Sequence, residues 1–169
     1  MDFEHKTDIF LSLIETHKGI IYKVSNMYCR DPEERKDLVQ EIILQIWKSF
    51  EKYDSRFQHS TWIYRIALNV AISFYRKETT RKKFSDPLPE NIVQQTEMIE
   101  NNKMETGIQF LHQIIAELKE LDKALILLYL EGKNHREIAD ILGITETNSA
   151  TKIGRIKTLL KHRFSQLSV

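Results

Sequence analysis

The chain has 169 residues, of which 41% are hydrophobic and 29% charged, with a formal net charge of +1; this is the make-up of a soluble globular protein with room for one ordinary domain or two small ones. Five Gly and three Pro favour helices over sheets, Cys29 stands alone and so excludes a disulfide framework or a Cys-based metal site, and His5, His17, His59, His112, His135 and His162 lie without ligand spacing. The N-terminus Met1-Asp2-Phe3-Glu4-His5-Lys6 opens with charge, no apolar run approaches membrane-span length, and no phosphate loop or nucleophile–base motif is present; a cytoplasmic, non-enzymatic protein without a cofactor or metal is expected.

From the N-terminus, Phe10, Leu13, Ile14, Ile20, Ile21 and Val24 give one or two amphipathic helices. Asp31-Pro32-Glu33-Glu34 is a helix start, with Pro at the first helical position and acids in the first turn. Between Asp37 and Phe50 the apolar residues Leu38, Val39, Ile42, Ile43, Leu44, Ile46, Trp47 and Phe50 cover more than one stripe, so part of this surface packs on its own domain and part is expected to meet a partner. Asp37, Gln40 and Glu41 interrupt it on one side. After the loop from Tyr53 to Ser60, Thr61 is a candidate cap for a helix running from Trp62 to about Lys77, with Ile63, Ile66, Ala67, Val70 and Phe74 on its core face. Arg65, Asn69 and Arg76 are expected on the opposite, exposed face, flanked by Trp62, Ser73 and Tyr75. Aromatic rings interleaved with Arg and Asn suit single-stranded nucleic acid, because bases stack on the rings while guanidinium groups neutralise the backbone.

Charge is segregated beyond this point. Arg65, Arg76, Lys77, Arg81, Lys82 and Lys83 are opposed only by Glu78, whereas Asp86, Glu90, Glu97, Glu100 and Glu105 are opposed only by Lys103. Asp86-Pro87-Leu88-Pro89 cannot continue a helix, and residues 84–107 are expected to be a flexible acidic linker between helical domains at 1–83 and 108–169.

The last third is written as a helix-turn-helix. Ala139 is small where the helices must cross, Gly143 permits the turn, Ile138, Leu142 and Ile144 form the apolar plug, and Thr145 caps the second helix. No acidic residue follows Glu146, whereas Lys152, Arg155, Lys157, Lys161 and Arg163 do. At about 100° per residue Ile153, Ile156 and Leu160 share the inner face. The N-terminal part of such a helix enters the major groove, which makes Thr147, Asn148, Thr151, Lys152 and Arg155 base-edge candidates and Lys157, Lys161 and Arg163 phosphate contacts.

Asp37 to Trp47, Ser60 to Arg76 and the Arg136 to Lys161 block, in that order, resemble regions two and four of bacterial sigma factors, and more narrowly the small extracytoplasmic-function group. The resemblance implies an all-α fold of two helical domains and a monomer that directs core RNA polymerase to promoter DNA, bound through the β′ clamp helices and the β flap. It admits an anti-sigma factor as a further partner. It implies that Asp37, Leu38, Gln40, Glu41 and Trp47 dock on polymerase. Phe57, His59, Ser60 and Trp62 would hold a flipped-out base of the −10 element, Arg65, Asn69 and Arg76 the adjoining DNA, and Thr147, Asn148, Thr151, Lys152, Arg155, Lys157 and Lys161 the −35 duplex. Ser149 departs from the family, which usually has an apolar residue there; its hydroxyl is expected to bond back to the preceding turn and the packing to be weaker. The rival is a free-standing helix-turn-helix repressor or activator, which would dimerise on a palindrome.

Overall fold

The computed structural model describes residues 2–84 and 103–167, and these form seven α-helices and one short 3₁₀ turn, with no strand among the described residues. Helix α1 (Phe3–Tyr28) is one continuous helix of 26 residues, so Gly19 does not divide it; it buries Phe10, Leu13, Ile21, Val24 and Tyr28 along one stripe. In the bend that follows, the Cys29 carbonyl accepts from Arg35 Nε at 3.3 Å and Nη2 at 3.2 Å. Helix α2 (Pro32–Ser49) then starts as its sequence dictates, with the Asp31 carboxylate accepting the Glu34 N–H at 3.3 Å and Pro32 at the first turn. Leu38, Ile42 and Ile46, one helical turn apart, are each 0% exposed.

A 3₁₀ turn (Phe50–Lys52) and a short loop lead into helix α3 (His59–Phe84), which begins before the expected cap and runs past the expected end. The Trp62 N–H already bonds to the Gln58 carbonyl at 3.1 Å, so Thr61 lies inside the first turn, buried, and caps nothing. Arg81, Lys82 and Lys83 occupy the last turn, where cations favour the helix dipole and let the helix extend.

Helix α4 (Lys103–Glu117) starts within the stretch expected to be linker, so 103–107 are helical; the rest of that expectation lies outside the described residues. Helix α5 (Glu120–Leu130) buries Lys123 through Leu128 on all sides, as a hub does when neighbours surround it. Gly132, at φ 77°, ends it, and the Lys133 N–H returns to the Leu128 carbonyl at 3.0 Å. Helix α6 (His135–Leu142) carries a capping box: the Glu137 N–H donates to Asn134 Oδ1 at 2.9 Å and the Asn134 N–H to Glu137 Oε2 at 2.8 Å. Gly143, at φ 67°, turns the chain into helix α7 (Glu146–Leu167). Helices α1 to α3 form one unit and α4 to α7 another, and the flank of α3 packs on α5 and α6, joining both into one hydrophobic core.

Candidate nucleic-acid interface

The helix-turn-helix is assembled as its sequence requires. Ile138 and Ala139 are buried where α6 meets α7, Ile153 and Ile156 are buried from the other side, and the Asn148 N–H is capped by Thr145 Oγ1 at 3.0 Å. Of the apolar plug, Ile138 is fully buried while Leu142 and Ile144 are only partly so; Ile141, not singled out in the sequence, completes it. Thr147, Asn148, Thr151, Arg155, Lys157 and Lys161 are all exposed and Lys152 half-exposed, so the outside of α7 is mainly polar, with Ala150 and Leu159 exposed among these residues. Two cations have local partners: Lys157 Nζ lies 4.6 Å from the Tyr129 ring centroid, and Arg163 pairs with Glu117. Arg163 therefore ties α7 to α4.

Ser149 corrects an expectation. It is 0% exposed, and its Oγ lies 3.3 Å from His135 Nδ1 of α6, so the hydroxyl links the two helices of the motif and does not bond back along its own. A polar residue in this crossing is tolerated because it finds a partner there.

At the other unit, the 53–60 loop and α1 border a shallow, open recess of about 480 Å³ lined by His17, Tyr53, Ser55, Arg56, Phe57, Gln58, His59 and Ser60. Tyr53 stacks on His59 with centroids 4.6 Å apart, and its hydroxyl donates to the Phe57 carbonyl, which fixes the loop. Asp54 receives the Arg56 guanidinium at 2.6 Å, and that pairing holds its carboxyl below the usual range. Phe57, His59 and Ser60 thus line one recess. Trp62 does not line the recess; it meets Tyr53 edge-on at 5.1 Å and supports the loop from the core side. Tyr53, Ser55, Arg56, Gln58 and His17 also line it without having been candidates, His17 because it sits on α1, far away along the chain.

Arg65, Asn69 and Arg76 lie on one side of α3, Asn69 and Arg76 exposed and Arg65 half-exposed, but they meet different neighbours. Arg65 places its guanidinium 4.9 Å from the Phe57 ring centroid and donates through Nη2 to the Asp140 carbonyl at the end of α6, at 2.5 Å. Arg76 Nε pairs with Glu120 Oε1 at 2.8 Å, which lowers the Glu120 pKa, and the Tyr28 hydroxyl donates to the Glu120 carbonyl. Lys23 reaches Glu131 at 2.7 Å, and burial beside Glu131 pushes the Tyr64 phenol up to about 12. Asn69 instead lines a groove between α2 and α3 with Asp37, Glu41, Gln45, Ser73 and Lys77.

On α2, Asp37, Gln40 and Glu41 are exposed, and Glu41 accepts from Gln45 Nε2 at 3.1 Å. Leu38 is not on this face: it is 0% exposed and can only support it from beneath. Trp47 is half-buried, held edge-on by Phe10 at 4.8 Å, and with Phe3, Leu11, Ile43 and Leu44 it borders an apolar groove beside Gln40.

Two family models match the chain: Sigma-70 region 2 over residues 13–81 and Sigma-70, region 4 over residues 109–160. The chain is 27% identical to RNA polymerase sigma factor SigV of Bacillus subtilis strain 168, across 90% of this chain and 89% of SigV. It is 25% identical to ECF RNA polymerase sigma factor SigW of the same organism, across 95% of this chain and 91% of SigW. The fold is that of CnrH, solved in complex with the cytosolic domain of CnrY, at TM-score 0.67 and 17% identity over 95% of this chain and 90% of that one. It is likewise that of the sigma factor RpoE in complex with the anti-sigma factor NepR from Bartonella quintana, at TM-score 0.66 and 16% identity over 96% and 97% of the two chains.

Proposed function

Given that this chain belongs to the sigma-70 family and is an alternative RNA polymerase sigma factor of the extracytoplasmic-function type, we propose that its two helical units divide the promoter between them. The α4–α7 unit reads the −35 element as duplex through Thr147, Asn148, Thr151, Lys152 and Arg155, with Lys157 and Lys161 on phosphates. The α1–α3 unit docks on core polymerase through Asp37, Gln40, Glu41 and Trp47 and holds the melted −10 strand at Phe57, His59 and Ser60, with Arg65, Asn69 and Arg76 on adjoining DNA. Residues 1–83 and 108–169 carry these tasks, and the first turn of α4 belongs to the connection between them. The observation that carries this assignment is the exposed, mainly polar and basic face of α7 above the buried Ile138, Ala139, Ile153 and Ile156 of the helix-turn-helix.

In the arrangement described, Arg65 and Arg76 are spent on α6 and α5, so the strand-binding flank of α3 becomes available only when the two units part. Core polymerase, by holding them at the spacing of the two promoter elements, supplies that separation and combines two weak contacts into one strong one. The protein then acts as a cytoplasmic monomer, by binding and not by catalysis; no helix among the described residues is long and apolar enough to cross a membrane. RpoE's pairing with an anti-sigma factor suggests a partner of that kind for this chain as well.

Run-off transcription tests this. Core polymerase with the protein is expected to initiate at a defined promoter and core polymerase alone not to. Tight binding of the protein alone to a palindromic duplex, without any stimulation of initiation, would instead favour a free-standing repressor.

A further inference from the structure

We propose that His17, contributed by α1, is a specificity-determining residue for the unpaired base that enters the recess at the 53–60 loop. The inference rests on the assignment of that loop to the melted −10 strand and adds a residue to it from a different element. Its starting point is a break in a pattern. Leu13 and Ile21 on the core stripe of α1 are 8% and 1% exposed, and residue 17, one turn from each, should by the same periodicity be apolar. It is an imidazole, placed where the stripe passes the loop.

The surroundings give that imidazole something to do. Its ring centroid lies 6.2 Å from that of His59, tilted by 54°, while His59 is stacked on Tyr53. The recess therefore has a π-face against which a flat ring can stack, and polar groups at its margin in Gln58 and Ser60. The one strong ion pair at the loop, Arg56 with Asp54, is closed on itself. Neither ring nitrogen of His17 takes part in a hydrogen bond among the described residues. His17 is half-exposed, so its nitrogens are left to solvent or to a group entering the recess. Burial and the neighbouring His59 both favour the neutral ring, which presents one N–H donor and one acceptor. Such a group distinguishes bases by the donor and acceptor order on their edges, which stacking on Tyr53 and His59 cannot do.

The test uses the full chain with core polymerase on templates already mismatched across the −10 element, carrying each of the four bases in turn at every position of the non-template strand. The wild-type protein is expected to prefer one base at one position by about tenfold, the scale of a good base-edge contact. His17→Leu, which restores the apolar stripe and so preserves folding, is expected to remove that preference at that position alone. His17→Asn, which again offers a donor and an acceptor, is expected to discriminate once more at the same position, for the same or another base. A His17→Leu protein that keeps the wild-type preference, or loses activity equally on all four bases, would overturn the proposal. Phe57→Ala and Ser60→Ala separate the two possible failures. If they alter the −10 preference and His17→Leu does not, only the role of His17 fails; if neither they nor His17→Leu changes it, the loop is not the base pocket.

Discussion

Lys123 Nζ, on α5, lies 4.6 Å from the centroid of the Tyr75 ring, on α3, and the lysine is only 4% exposed. Tyr28 of α1 lies on the same cation at 5.9 Å, so a charge from one helical unit is seated between two rings of the other. Burial, and to a smaller extent Arg30, lower the Lys123 pKa, with Glu120 acting in the opposite sense. An interface that buries a lysine and closes its edge with ion pairs is polar enough to part, unlike an all-apolar seam. This contact occupies Arg76, which the proposed function needs on DNA.

Loosening the contact should therefore expose the −10 face without touching the −35 face. Glu120→Gln removes the partner of Arg76, an exposed pair worth ~0–1 kcal/mol, so a rise of up to about fivefold in affinity for single-stranded −10 DNA is expected for the free protein. Affinity for −35 duplex should not change. Fluorescence anisotropy on both ligands checks this; an equal change on both, or none on the single strand, would show that closure does not compete with DNA.

The helix-turn-helix was legible because its determinants are local: Gly143 for the turn, Thr145 for the cap of the second helix, and the periodicity of Ile153 and Ile156. The start of α2 was legible for the same reason, since Asp31 and Pro32 act within one turn. Tertiary relations were not. Leu38 reads as one more residue of a broad apolar surface, and only the packing of α1 and α3 over it decides that it faces inward. The partners of Arg65 and Arg76 lie on α6 and α5, and no pattern within α3 indicates that its basic flank meets another unit. Ser149 was visible as an anomaly, but its partner His135 was not, because the bond crosses between helices.

Charge reversal at Asp37 or Glu41, to Lys, is expected to abolish association with core polymerase and leave helix content by circular dichroism unchanged. Both side chains are exposed on α2, so neither reversal disturbs the core, whereas a like charge against a basic partner surface is costly. Normal retention on immobilised core polymerase would mean that this face is merely solvated.

Ser149→Ala should cost about 0.5–1.5 kcal/mol of stability, the ordinary net value of one hydrogen bond, since it removes the link to His135 but leaves a small apolar residue in the crossing. Urea denaturation gives the value directly. A stabilised variant would mean that burying the hydroxyl costs more than its bond returns.

The His17 pKa is held below 6.5 by burial first and by His59 second. The folded state thus resists a proton that the unfolded chain accepts, so the contribution of neutral His17 is fully present above pH 6.5 and is lost as the pH falls through the lowered value. The groups facing it are His59 and Tyr53, with the Lys6–Glu51 pair in the adjoining groove. A fall in melting temperature as the pH is lowered below 6.5 is expected, and His17→Leu should flatten part of it. An identical pH profile in the variant would place the titration elsewhere.

The two kinds of contact on α7 should separate by mechanism. Arg155 is exposed near the middle of the polar face and, reading a base edge, its replacement by Ala should cost roughly 1–3 kcal/mol and relax preference at one position of the −35 element. Lys161, less than two turns further on, lies farther from the N-terminal end of the helix, and the proposed function puts it on a phosphate. Lys161→Ala should weaken every sequence alike and lower the slope of log affinity against log salt by about one. Binding to a panel of single-base −35 variants, repeated at several salt concentrations with the polymerase complex, reads both effects at once. A uniform loss from Arg155→Ala would move it to the phosphate class, and a position-specific loss from Lys161→Ala would mean that α7 lies deeper along the groove than its exposed face implies.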